Sequence, residues 1–382
     1  MVISRHVPLA LLALLATGVR TAGAQSASPR ASAMTAAASN RDSAPLIDSL
    51  DARVPEWLTR FGVPGIGIAY IKDGQIAWTR VYGEQSEGVP ATERTLYNVA
   101  SLTKPVFAET VLRLVAAGRL ALDSSMAPVW VDPDVASDPR HLLLTPRLSL
   151  SHRTGFPNWR RETGGRLRFR NDPGTKYGYS GEGFEYLKEY TRRVTGQSID
   201  SSARELVFGP AGLQNISFTT KPWFEGRVAM PKGPGGKWGN SDASPNEVAS
   251  DNLHTTVADY AGFVLSAMRH DGLPSRLTTQ RDSLHHTDAP GSGECDRRKV
   301  AHCPVRSGYG LGWSIFEYPD DKVLWHTGSD WGEKAMVFYS PGKREGMVLL
   351  TNGVNGFSVI IEVGTLVMRG TPFGEFLASG RK

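Results

Sequence analysis

The chain has 382 residues, 40% of them apolar and 21% charged, a balance that allows a sizeable buried core and excludes a wholly disordered chain. Its formal charge of +5 is too small an excess to indicate a nucleic-acid partner. Length leaves room for several domains or for one large mixed α/β unit with an inserted subdomain.

In chain order, residues 1–24 read as a secretory signal peptide. Arg5 and His6 precede the apolar run from Val7 to Val19, and Ala22-Gly23-Ala24 offers small residues for cleavage before Gln25. The run is shorter than the roughly 20 residues that a membrane-crossing helix needs. The mature chain is therefore expected to be secreted or periplasmic, with no stable membrane span. Residues 25–43, dominated by Ala, Ser and Thr, read as a flexible tether, and the folded part is expected over residues 44–375.

Leu46, Leu50, Val54 and Leu58 recur at fourfold spacing, with Trp57 beside them, which predicts an amphipathic helix up to about Phe61. Ile66, Ile68 and Tyr70 then alternate, Asp73-Gly74 supplies a tight turn, and Ile76 and Trp78 continue, a β-hairpin pattern. Residues 96–299 carry helix-like segments between loops rich in Gly, Pro and Asp. Strands return over 308–317, 322–325, 334–339 and 346–351, followed by a helix over 359–368. Residues 44–95 and 300–375 would then share one antiparallel sheet flanked by helices, with 96–299 as an inserted, mainly helical subdomain and a cleft between the two.

Two smaller features need a reading. Cys295 and Cys303, in a polar segment of an exported chain, are disulfide candidates, with free thiols as the alternative. Cys295, His302 and Cys303 are too few, and wrongly spaced, for a zinc site, so no metal is expected. The arginines between Arg160 and Arg170 read as a solvated loop.

The chemistry begins at Ser101-Leu-Thr-Lys104. Phe107, Val111, Leu114 and Val115 share one helical face, Gly118 marks its end, and Pro105 is tolerated only in a first turn, so the helix must begin near Ser101. Residues three apart on a helix are neighbours, which brings the Lys104 amine to the Ser101 hydroxyl. Burial near the positive end of a helix disfavours the ammonium and frees the amine to activate the serine. Two other Ser-x-x-Lys matches, Ser340 to Lys343 in a turn and Ser379 to Lys382 at the chain end, lack that helix start.

These residues resemble the serine β-lactamase and penicillin-binding protein family, in its class C branch, because two further motifs follow in order. Asp172-Pro173-Gly174-Thr175 leads to Tyr177-Gly178-Tyr179-Ser180-Gly181, similar to the family's Tyr-x-Asn segment, and His326-Thr327-Gly328 is similar to its Lys-Thr-Gly strand. The stretches from Leu148 to Gly155 and from Tyr309 to Trp313 also look like family segments. The resemblance implies a β-lactamase/transpeptidase-like fold and a catalytic set of Ser101, Lys104, Tyr179 and His326. Tyr179 would share acid and base duty with Lys104, its phenol eased toward ionisation by nearby cations. The Ser329 and Ser101 N–H groups would form an oxyanion hole beside Thr327 and Gly328, and no cofactor is implied.

Two departures bear on substrate. Gly181 stands where the family has an asparagine that bonds a substrate amide, and neutral His326 stands where it has a cationic lysine. Both weigh toward an ester or a D-amino-acid peptide as the small-molecule or peptide acyl substrate, with β-lactam hydrolysis, or a slow penicillin-binding or cell-wall sensing module, as the alternatives. The run from Gly178 to Glu182 imitates a nucleophile elbow but fails it at the fifth position.

Overall fold

The computed structural model describes residues 29–381, with side chains from Ala44 onward, so the leader over 1–24 lies outside the described residues. The first elements are α1 (Pro29–Phe61), β1 (Gly65–Lys72), β2 (Gln75–Ser86), β3 (Val89–Pro90), β4 (Tyr97–Asn98) and α2 (Thr103–Ala116). Then come α3 (Pro146–Leu150), α4 (Gly181–Thr195), α5 (Ile199–Ala203), β5 (Ile216–Ser217), β6 (His254–Thr255), α6 (Val257–Met268) and α7 (Ser275–Arg281). The last third holds β7 (His286–Thr287), α8 (Glu294–Arg297), β8 (Arg306–Tyr309), β9 (Ser314–Glu317), β10 (Lys322–Ser329), β11 (Lys334–Ser340), β12 (Glu345–Thr351), α9 (Gly356–Val367) and α10 (Pro372–Ala378).

Among the described residues, nine strands form one sheet in the order β3-β2-β1-β12-β11-β10-β9-β8-β7. Every pairing in it is antiparallel, and the early hairpin joins the late strands through β1 and β12, with Ile68 opposite Leu349. The hairpin turn has Asp73 and Gly74 both at positive φ, 54° and 73°, the conformation a two-residue turn between twisted strands requires. A second, three-stranded sheet, β4-β6-β5, lies in the middle of the chain.

Because strand side chains alternate, the large sheet feeds two cores. Ile66, Ile68 and Tyr70 of β1, Met347 and Leu349 of β12, and Met336 and Phe338 of β11 pack with Leu50, Val54 and Leu58 of α1 and with α9 and α10. Their alternates Ala69, Ile71, Val348, Leu350 and Val337 pack with Val106, Phe107 and Val111 of α2 and Tyr260, Phe263 and Val264 of α6. The fold is thus mixed α/β, an antiparallel sheet between helical layers, as the sequence pattern predicts.

Several boundaries differ from expectation. Helix replaces the tether from Pro29 on, in a stretch rich in alanine, the strongest helix former. The strand expected over 308–317 divides into β8 and β9 around Gly312, which has φ 84° and lies so close to α2 that a Cβ would collide with that of Ala108. Helix α10 carried no periodic signal of its own. Cys295 and Cys303 are joined in a disulfide, Cα to Cα 5.6 Å. No helix among the described residues is long and apolar enough to cross a membrane.

Candidate active site

Ser101 lies in a 3₁₀ turn, Ala100–Leu102, that leads into α2. Ala100 has φ 47°, a conformation that costs a non-glycine residue energy and persists only where the surroundings enforce it. Four contacts do so. The Ala100 N–H donates to Asn98 Oδ1 at 2.9 Å, Thr103 Oγ1 donates to the Ala100 carbonyl at 2.6 Å, the Val99 N–H donates to the Leu253 carbonyl at 3.0 Å, and the Tyr260 hydroxyl donates to the Leu102 carbonyl at 2.8 Å.

Lys104 is fully buried one turn later, and its Nζ donates to Ser101 Oγ at 2.9 Å and to the Ser250 carbonyl at 2.6 Å. Ser250 is fixed in turn by Glu185, whose Oε1 accepts from the Ser250 N–H at 2.9 Å and from its Oγ at 2.6 Å. Burial draws the Lys104 amine down from 10.5 to about 8, against the opposing pull of Asp251 and Glu185.

Ser101, Tyr179, Thr327 and Ser329 line one cavity of about 530 Å³. Gly328 explains how β10 reaches the serine, since a Cβ there would collide with the Val99 carbonyl and press on Ala100 at 3.2 Å. Tyr179 stacks its ring 4.9 Å from Lys104 Nζ and 4.2 Å from the His152 ring. Its phenol is pushed up, by burial first and by Asp251, with a hydrogen-bonding interaction with Ser101 only partly offsetting this. That corrects the expectation of a phenol eased toward ionisation: burial outweighs the hydrogen bond with Ser101.

His326 is buried and lines a second cavity, of about 290 Å³, which shares Tyr179 and Thr327 with the first. Its Nδ1 meets the Thr327 carbonyl at 2.8 Å, so Nδ1 carries the proton, and Nε2 accepts from the Tyr309 hydroxyl at 3.2 Å. Burial, with Lys104 adding to it, draws its pKa down to about 3, so the ring is neutral at any ordinary pH. Both nitrogens are spent, and neither is free to exchange a proton with a substrate. Cys295 and Cys303 do not line the cavity of Ser101, although Glu294 and Arg297 of their loop line the second one.

At Gly181 the Trp159 indole lies where a side chain would project, with a Cβ meeting it at 2.9 Å and the Asn158 carbonyl at 3.2 Å. Of the arginine-rich stretch, Arg160 is tied to Glu182 at 2.8 Å and Asp132 at 3.1 Å, whereas Arg161 lines the cavity. The opposite charge comes from Asp242, Asp251 and Asp330, all in the same wall. Asp251 is raised to about 7 by burial and by Asp330, with Lys104 pulling against them, and Asp242 is raised by burial and Asp330.

Sequence reasoning missed Asn158, Trp159, Asp242, Ser250, Asp251 and Asp330. They sit in loops without periodicity, and the one signal available was their neighbourhood: Asn158 and Trp159 follow directly on the family-like segment ending at Gly155.

This geometry accompanies a family match across most of the chain. The protein belongs to the beta-lactamase family, whose sequence model matches residues 49–361. Among curated relatives, it is 26% identical over 318 residues to penicillin-binding protein 4 of Amycolatopsis lactamdurans, covering 77% of this chain and 82% of that protein. It is 30% identical over 213 residues to esterase EstB of Burkholderia gladioli, covering 47% of this chain and only 53% of the esterase. Among solved structures, a class C beta-lactamase aligns with TM-score 0.70 at 16% identity, over 86% of this chain and 97% of that one. The D-alanine carboxypeptidase AmpC of Burkholderia cenocepacia aligns with TM-score 0.69 at 18% identity, over 86% and 100%. These structural likenesses establish the fold.

Proposed function

We propose that the protein is an exported serine hydrolase that forms an acyl-enzyme on Ser101, with an ester or a D-amino-acid peptide or amide as substrate. The observation that carries this reading is Lys104 Nζ, buried and 2.9 Å from Ser101 Oγ at the floor of an open cavity. In the neutral form favoured by its burial, Lys104 takes the Ser101 proton as Oγ bonds to the substrate carbonyl carbon. The negative oxygen that results is held by the Ser101 and Ser329 backbone N–H groups, fixed by the 3₁₀ turn and by β10. When the tetrahedral species collapses, the leaving oxygen or nitrogen departs with a proton returned from Lys104 through Tyr179, whose burial keeps it a phenol able to donate. Water then attacks the ester by the same relay and frees Ser101. His326 holds the wall with Tyr309 and is a positioning residue.

The lining supports a preference within that class. Three carboxyl side chains against one guanidinium disfavour a carboxylate-bearing substrate, so neutral esters and amine-bearing D-amino-acid derivatives should precede C-terminal D-alanyl peptides and β-lactams. The likeness to a penicillin-binding protein motivates a second reading, a module that is acylated and turns over slowly. Export is supported by the leader pattern and by the Cys295–Cys303 disulfide, a bond typical of oxidising compartments.

The test is fluorophosphonate labelling of the wild type and of Ser101→Ala, followed by a panel of aryl esters, a D-alanyl anilide, a D-alanyl-D-alanine peptide and a chromogenic cephalosporin. Labelling should vanish in Ser101→Ala with little change in melting temperature. Persistent labelling of that variant rejects the assignment, and a permanent adduct with every panel member favours the slow module.

A further inference from the structure

The cavity wall holds two asparagines. Asn252 has committed its NH₂, which donates to the Asp242 carbonyl at 2.7 Å. Asn158 is different. Its Oδ1 accepts the Gly181 N–H at 2.9 Å and its backbone carbonyl accepts the Glu182 N–H at 3.1 Å, so it is clamped from two sides onto the first turn of α4. A backbone N–H can be met only by the oxygen of the side-chain amide, which fixes the orientation: the NH₂ is the end turned away from Gly181. Among the described residues no acceptor bonds that NH₂, and Asn158 lines the cavity into which Ser101 opens. The wall away from Asn158 carries the carboxyl groups of Asp242, Asp251 and Asp330 and the hydroxyls of Thr327 and Ser329, while Arg161 is drawn over the Trp159 ring at 5.6 Å. Gly181 itself has no side chain, and Trp159 occupies the space one would need.

We propose that Asn158 is a specificity-determining residue: its NH₂ donates to the carbonyl of an amide on the acyl side of the substrate, a contact that position 181 cannot make. The preferred acyl group is then an N-acylated amino acid, anchored by Asn158 while its ester or amide carbonyl faces Ser101. This rests on the serine-hydrolase reading above.

The experiment compares two p-nitrophenyl esters, N-acetyl-D-alanyl and propionyl, which differ by the acylamido group. They are assayed at pH 8 on the wild type, Asn158→Ala and Asn158→Asp. The aspartate keeps an oxygen for the Gly181 N–H and has no donor, so it separates recognition from anchoring of α4. The ratio of kcat/KM for the acylamido ester to that for the plain ester should fall roughly 3–10-fold in both variants, the scale of one lost hydrogen bond, mostly through KM. A wild-type ratio in Asn158→Asp, or an equal loss on both esters, overturns the proposal. Fluorophosphonate labelling of Ser101 runs alongside. Its absence in the wild type indicts the hydrolase reading itself, whereas labelling with an unaltered ratio indicts Asn158 alone.

Discussion

Lys104 sets the pH at which Ser101 can react. Only the neutral amine can accept a proton, and burial has lowered its pKa to about 8, so activity belongs to the alkaline side and is lost as pH falls through that value. The rate of Ser101 acylation by a neutral ester should therefore climb about tenfold per unit from pH 6, as the neutral fraction does, and level off above about 8. Asp251 and Glu185 hold the pKa up, while the buried rings of His152 and His326 face the same amine uncharged. Asp251→Asn should move the limb to lower pH. His326 should contribute no inflection near 6.5, because it stays neutral down to about 3, so any inflection there belongs to Asp251, raised to about 7, and should vanish in Asp251→Asn. A profile flat from pH 6 to 9 would remove Lys104 from the role of base.

At the level of elements, the serine is placed by a strand end and a strained turn that nearly touch. Gly328→Ala would drive a methyl group into the Val99 carbonyl, so β10 and the Ala100 turn must separate. A cost of about 1–3 kcal/mol in stability is expected, as for other overpacked sites, with a larger proportional loss of Ser101 labelling, read by thermal melting and probe kinetics on the same sample. Equal labelling would show that the close approach is not needed for reactivity. This junction was legible from sequence in large part: Pro105 fixes where α2 begins, and the strand-like run Val323, Leu324 and Trp325 leads into His326-Thr327-Gly328. The loop residues that complete it were not. Asn158, Trp159 and Asp251 act through tertiary contacts that leave no period in the chain, and the burial that neutralises His326 and keeps Tyr179 protonated depends on neighbours far away in sequence, such as Tyr309 for His326. A neutral His326 was expected from the reference pKa of histidine alone, whereas composition could not foresee that burial would hold the Tyr179 phenol protonated.

At the scale of the whole molecule, three buried histidines among the described residues, His152, His254 and His326, are held neutral, with His254 at about 4 and His326 at about 3. Each takes up a proton in the unfolded chain below about 6.5 but not in the folded one, so each withdraws up to about 1.4 kcal/mol per pH unit as acidity increases. Asp251 and Glu333, both raised to about 7 with burial as the first cause, act in the opposite sense because they bind protons earlier when folded. Asp242 is raised as well, and the partly buried His270 and His285 are lowered, so five histidines against three carboxyls leave a net loss, and the melting temperature should fall from pH 6.5 to pH 5; a rise over that interval would mean the histidines are solvated. The pairing of β1 with β12 has a consequence in time. The sheet's central ladder joins residues 66–71 to 346–351, so a growing chain carries an unmatched hairpin until nearly all of it has emerged. Folding is postponed to the completed polypeptide and is governed by long-range encounter rather than local zippering. Under the export proposed above, a chain threaded through a membrane before it folds would gain from that delay.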